Sequence, residues 1–198
     1  MSATSQRDRV AKLATTDPDK ALNVARGIND PWFRAQALSH VARYVPIDAI
    51  RIATEAEQAA LKCDDHFKRS AVRAWEIAAL AERGMTKDAL RSLHSALAEA
   101  ALASPSSSRC ESLLLLMHAA ARISLSHSIP IADEIRKTAA GDANWRCIRS
   151  LVEAVAILCY LDASAAMRFV ESLPESSSKS KCRSKLNTGG VEPRPFFW

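Results

Sequence analysis

A chain of 198 residues with 48% hydrophobic content can build one ordinary core or one short repeat array, which excludes disorder as its main state. Alanine dominates, glycines number only 5, aromatics are 6% and runs of Val, Ile and Thr are nearly absent, so the composition points to an all-α fold. The formal charge of +5 does not describe the body: five basic residues (Lys179, Lys181, Arg183, Lys185 and Arg194) against Glu192 give the segment from residue 176 a charge of +4, leaving about +1 elsewhere and no broad nucleic-acid surface.

The opening stretch MSATSQRDRVAKLATTDP carries no apolar signal-peptide region, and a helix is predicted over 5–14. Asp17 followed by Pro18 starts a second helix. The carboxylate accepts from unpaired backbone N–H groups, and proline at the first helical position has no N–H to lose. Ala21, Leu22, Ala25 and Ile28 then recur at helical spacing, predicting a helix over 18–28. Asp30 and Pro31 repeat the start, and the next helix runs over 31–44 and stops before Pro46. Further helices are predicted at 47–63, 66–83, 86–102, 107–124, 129–139, 143–160, 163–173 and 177–187. The connections are short, so successive helices should be antiparallel neighbours. The longest strongly apolar stretch, Ser112 to Ala121, ends at Arg122 and is too short to span a bilayer. Cys63, Cys110, Cys147, Cys159 and Cys182 are odd in number and scattered through apolar pattern, which suits reduced, packed thiols in a cytoplasmic protein.

The cadence repeats. Asp30 introduces PWFR, Asp65 introduces HFKR and Asp142 introduces ANWR, while SPSSSRCE (104–111) keeps serine caps and Arg109 without the aromatic. The second helices also echo one another, with Ala21, Ala49, Ala89, Ala132 and Ala166 spaced at a mean near 36 residues. The segment 17–34 aligns without a gap on 162–179, pairing Asp17 with Asp162, Ala25 with Val170 and Ile28 with Leu173. Across residues 5–187 this pattern resembles the helical hairpins of α-solenoids, the broad tetratricopeptide and HEAT-like group. The spacing varies and the Trp…Leu-Gly…Tyr signature is missing, so the resemblance is to an architecture. It implies a right-handed superhelical stack of about five antiparallel hairpins, an α-α superhelix, with residues 1–188 as the repeat domain and 189–198 as an extended tail.

Local chemistry is sparse. Cys63 and His66 have ligand spacing without a second pair, HSALAE (94–99) is not a zinc-protease HExxH, and no GxSxG, GxGxxG or Walker sequence occurs. No cofactor, metal or catalytic residue is therefore assigned, and the chain is read as a non-enzyme. A helical enzyme would need a Cys or Ser brought near His40, His66, His94, His118 or His127 with an acid behind it.

The first helices of successive units carry polar residues at three- and four-residue steps opposite the apolar side. These are Gln36, His40 and Arg43; Arg69, Arg73 and Glu76; Glu111, His118 and Arg122; Arg149 and Glu153. If first helices line the concave side, as the resemblance implies, these residues form a mixed-charge strip that binds a protein or peptide partner. Nucleic-acid binding by a HEAT-like solenoid is the weaker alternative because the body is nearly neutral. Trp32, Phe67 and Trp145 sit in the first turns of their helices, placed either to pack between units or to form exposed stacking platforms; Trp75 reads as core. The serines of 104–108 and 176–180 read as caps and solvated turns, with phosphorylation as the functional alternative. The end, GGVEPRPFFW, leaves helical pattern: it could dock on its own stack, on a second copy or on a partner, or simply reflect where the gene ends.

Overall fold

The computed structural model describes residues 1–142 and 144–197; the predicted helix start at 143 and the aromatic Trp198 lie outside the described residues. Among the described residues the fold is all-α, with no strand. The helices are α1 (Ala3–Ala14), α2 (Pro18–Arg26), α3 (Pro31–Tyr44), α4 (Ala49–Ala60), α5 (His66–Ala71), α6 (Arg73–Glu82), α7 (Thr86–Ala101), α8 (Ser106–Ala120), α9 (Leu125–Gly141), α10 (Trp145–Leu161), α11 (Ala163–Glu171) and α12 (Ser177–Thr188).

The helix starts follow from capping chemistry. Asp17 accepts from the Lys20 N–H at 3.0 Å, Asp30 from Phe33 at 3.1 Å, Asp65 from Lys68 at 2.7 Å and Asp162 from Ala165 at 3.0 Å. Most starts fall within two residues of the sequence expectation, and two departures are larger. The helix predicted over 66–83 is divided at Val72, just after Ser70, whose Oγ donates to the carbonyls of His66 (2.7 Å) and Phe67 (3.1 Å). The helix expected at 129 begins a turn earlier, at Leu125, so Pro130 lies inside it and one ladder bond is forgone.

A second device recurs at the turns that precede α3, α5, α8 and α12. Arg34 Nε donates to the Ile28 carbonyl at 2.5 Å, Arg69 Nε to Cys63 at 2.8 Å, Arg109 Nε to Ala103 at 3.2 Å and Lys179 Nζ to Leu173 at 2.8 Å. Each cation reaches six residues back, and each acceptor residue is buried. A charged donor to a buried carbonyl satisfies an acceptor that the irregular corner leaves outside any helix.

The chain divides into two compact units, Met1–Leu102 with the segment from Pro195, and Ala103–Arg194. In the first, α1 packs on α2 and α3, α3 on α4 and α6, and α7 on α5 and α6. In the second, α8 packs on α9 and α10, and α10 is also covered by α9, α11 and α12. Alanine makes this possible: Ala35, Ala37, Ala42, Ala74, Ala78 and Ala79 are all buried, letting α3 and α6 accept neighbours on several sides.

Replacing Arg34 by Met removes the donor to the Ile28 carbonyl while keeping an apolar stem. A loss of about 1–3 kcal/mol in urea unfolding is expected, against about 1 kcal/mol for Asp30→Ala, which removes only a cap.

Candidate functional site

In the first unit, most of the predicted strip lies inside. Gln36, His40, Arg73 and Glu76 are all buried, which differs from a face open to solvent. The cause is the central position of α3 and α6: the polar side of each meets another element, so its residues satisfy one another. Gln36 Oε1 accepts from Arg7 of α1 at 3.0 Å. Arg69 is committed to its corner carbonyl. Arg43 remains partly accessible, pairs with Glu82 at 2.5 Å and donates to the Tyr44 hydroxyl at 2.6 Å.

Arg73 is 0% exposed and holds two carboxylates, Glu57 at 2.7 Å and Glu76 at 3.0 Å, while its Nη1 donates to Ser95 at 2.8 Å. One buried cation thus faces two acids. Burial, opposed by Arg73 and reinforced by Glu57, pushes the Glu76 carboxyl up to about 7.

These helices hold the aromatic end for which the sequence left docking on its own stack, on a second copy or on a partner open. Phe196 is 0% exposed, with its ring edge-on to Trp75 at 5.1 Å between centroids. Trp75 is in turn edge-on to Trp32 at 6.1 Å, and Trp32 stacks on Phe67 at 6.4 Å. Phe197 meets His40 edge-on at 4.9 Å, and the Arg43 guanidinium lies 4.7 Å from its centroid. The segment around these phenylalanines has no helix or strand. The signal available in sequence was the aromatic pair beside Pro195, too apolar to remain in water, but its receptor could not be read.

The second unit places its strip residues in two groups. His118 of α8 and Arg122, one turn further on, meet Arg194: the Arg194 N–H donates to His118 Nδ1 at 3.1 Å, and Arg122 Nη2 donates to the Arg194 carbonyl at 3.0 Å. Pro193 is buried beside them, and the Val191 N–H donates to the Ala156 carbonyl of α10 at 3.1 Å. Gly190 makes this approach possible, because a Cβ there would come within 2.3 Å of the Tyr160 nitrogen. Burial, followed by Arg194 and Arg122, pushes His118 down to about 4, so the imidazole is neutral near pH 7 and its Nδ1 is a lone-pair acceptor.

The other group is open. Glu111 of α8 receives Arg149 at 3.2 Å and lies 3.9 Å from Arg146, and Arg149 lies 3.7 Å from Glu153. Trp145, 64% exposed, has the guanidinium carbons of Arg149 and Arg146 at 5.3 and 5.7 Å from its ring. The aromatic first-turn positions therefore diverge: Trp32 and Phe67 stack on each other, whereas Trp145 is a platform facing solvent.

Among the described residues no group of His, Cys, Asp and Glu has metal-binding geometry, and no helix is long and apolar enough to cross a membrane. Ser124 Oγ approaches His127 Nδ1 at 2.7 Å within the first turn of α9, a local contact at a helix start. No protein-family model, curated protein or solved structure matches the chain.

The raised Glu76 value fixes a sign. In the fold the carboxyl titrates near 7 against an ordinary 4.5, so the folded chain binds this proton more tightly than the unfolded chain. The resulting stability is complete below about pH 4.5, declines as pH rises and is gone above about 7. Glu76→Gln removes that decline, so urea midpoints of wild type should fall relative to the variant between pH 5 and 8. A difference independent of pH would count against the assignment.

Proposed function

We propose that the chain is a protein-interaction module of stacked helical hairpins, of the right-handed α-solenoid kind, that binds an extended segment of a partner along its first helices. The recurring six-residue clamp supports the repeat reading, since one contact at equivalent positions of several hairpins is what a repeated unit produces. The observation that carries the binding reading is the grip of His118 and Arg122 on Arg194. One residue supplies an acceptor and the other a donor to the N–H and C=O of a single residue outside any helix or strand, a form of recognition indifferent to that residue's side chain.

Selectivity then falls to the open group on α8 and α10. Trp145 offers an aromatic surface, Arg146 and Arg149 offer planar cations, and Glu111 and Glu153 hold those cations in place. Gln36, His40, Arg73 and Glu76 act from inside by fixing the helices that carry accessible groups such as Arg43. The Arg69 guanidinium belongs to the corner rather than to a partner.

The test is selection of peptides from a displayed random library against the intact chain. Selected peptides should lose at least about tenfold in affinity, ~1.4 kcal/mol, with Trp145→Ala or Arg149→Glu, and little with Lys137→Glu on α9. Selection of no peptide, or of peptides indifferent to both α10 changes, would overturn the reading.

A further inference from the structure

We infer that the face of α3 and α6 in the first unit is a docking site for a protein segment carrying two consecutive aromatic residues, and that Phe196 and Phe197 occupy it as an internal stand-in for that partner. The inference rests on the interaction-module reading and adds the partner's chemistry and a means of regulating access.

The receptor is specific in its parts. Trp75 receives one ring at its edge, His40 receives the other at its edge, and Arg43 covers a ring face. Arg43 is itself paired with Glu82, so its planar cation is held while it meets the ring. The occupant is equally telling. A phenylalanine of an ordinary core is carried on a helix or strand, whereas this pair sits on a segment that is neither, with a bend at Phe196. Pro195 precedes the pair and Pro193 lies two residues further back, so the segment has no N–H at either position with which to join a ladder. The two rings are therefore held through side-chain contacts with Trp75, His40 and Arg43, which a second aromatic segment could make.

Being part of the same chain gives the stand-in its advantage. A tethered segment competes at an effective concentration on the order of millimolar. A weak aromatic segment in solution would be excluded, while one that also engages other parts of the module could displace it. Access to the α3–α6 face is thus set by competition, with no helix required to move.

The probe is a fluorescein-labelled, amidated peptide spanning residues 192–197, Glu-Pro-Arg-Pro-Phe-Phe. It should bind a full chain carrying Phe196→Ala and Phe197→Ala at least about tenfold more tightly than it binds wild type. The same peptide with both phenylalanines replaced by alanine should not bind, and Arg43→Ala added to the double variant should weaken the complex. Equal binding to wild type and variant, or no binding by a variant that retains its helical circular dichroism, overturns the inference. If the double variant loses its helices, the decisive measurement is made on a chain with 4-fluorophenylalanine at position 197. Millimolar peptide should then move the fluorine resonance to its solvent-exposed position, and an unmoved resonance overturns the proposal. Loss of this behaviour while library peptides still depend on Trp145 and Arg149 would remove the aromatic site and leave the module reading intact.

Discussion

A cation reaching six residues back to a buried carbonyl is the contact on which the architecture turns. Helices of this length cannot stand alone in water, because each owes its stability to packing rather than to propensity. Packing in turn requires every chain reversal to be tight, and a tight reversal leaves peptide groups that no ladder satisfies. Arg34, Arg69, Arg109 and Lys179 resolve this at four separate corners. The long side chain spans the corner, its stem lies along apolar surface, and its head meets the carbonyl. Departure from the pattern occurs at α10, where Ile148 stands four residues after the cap residue Asn144 and the cations turn outward to Glu111 and Trp145 instead. Where the corner does not use its cation, the surface acquires one.

Alanine sets the second constraint. Its small side chain lets helices approach closely, and α3 and α6 become central elements surrounded on several sides. A central helix has no solvated face, so polar residues on it must find partners within the protein or leave the fold destabilised. Arg73 with Glu57, Glu76 and Ser95 is the outcome. Replacing such a group by hydrophobic residues can be neutral or stabilising, whereas removing one member strands a buried charge. The arrangement therefore favours one mutual placement of α4, α6 and α7, since Glu57, Arg73 and Ser95 lie one on each.

Much of the fold was legible because its punctuation is chemical. Asp-Pro at 17–18 and 30–31 specifies both a cap and a first helical residue, and the helices begin at Pro18 and Pro31. The split at Val72 was hidden because the buried pattern runs through it, with Ala71, Val72, Ala74 and Trp75 all in the core. The start at Leu125 was hidden because Pro130 suggested a first-turn position, although a helix can absorb one missing bond. The candidate face was harder for a deeper reason. Helical periodicity separates polar from apolar sides, but it does not say whether the polar side meets water or another polar side. Glu111, Arg149 and Glu153 met the first condition in part; Gln36, His40, Arg73 and Glu76 met the second. Phe196 and Phe197 could be recognised as unable to remain exposed, yet only tertiary structure supplies Trp75 and His40 as their receptors.

The histidines show how binding and electrostatics constrain one another. His40 of α3 and His118 of α8 are each buried and each beside a segment that is neither helix nor strand. Burial pushes both down to about 4, helped by Arg7 and Arg43 at His40 and by Arg194 and Arg122 at His118. At His118 the consequence is direct: a protonated ring would present a donor to the Arg194 N–H, and the contact would become repulsive. Burial is the main cause of the neutral imidazole, and the arginine that grips the carbonyl adds to it. Stability from such depressed groups is complete above about 6.5 and is lost as pH falls through about 4. Glu76 runs in the opposite sense, losing its contribution as pH rises toward 7. Acid thus loosens the contacts made by His40 and His118 while it protonates Glu76, the buried one of the two acids on Arg73.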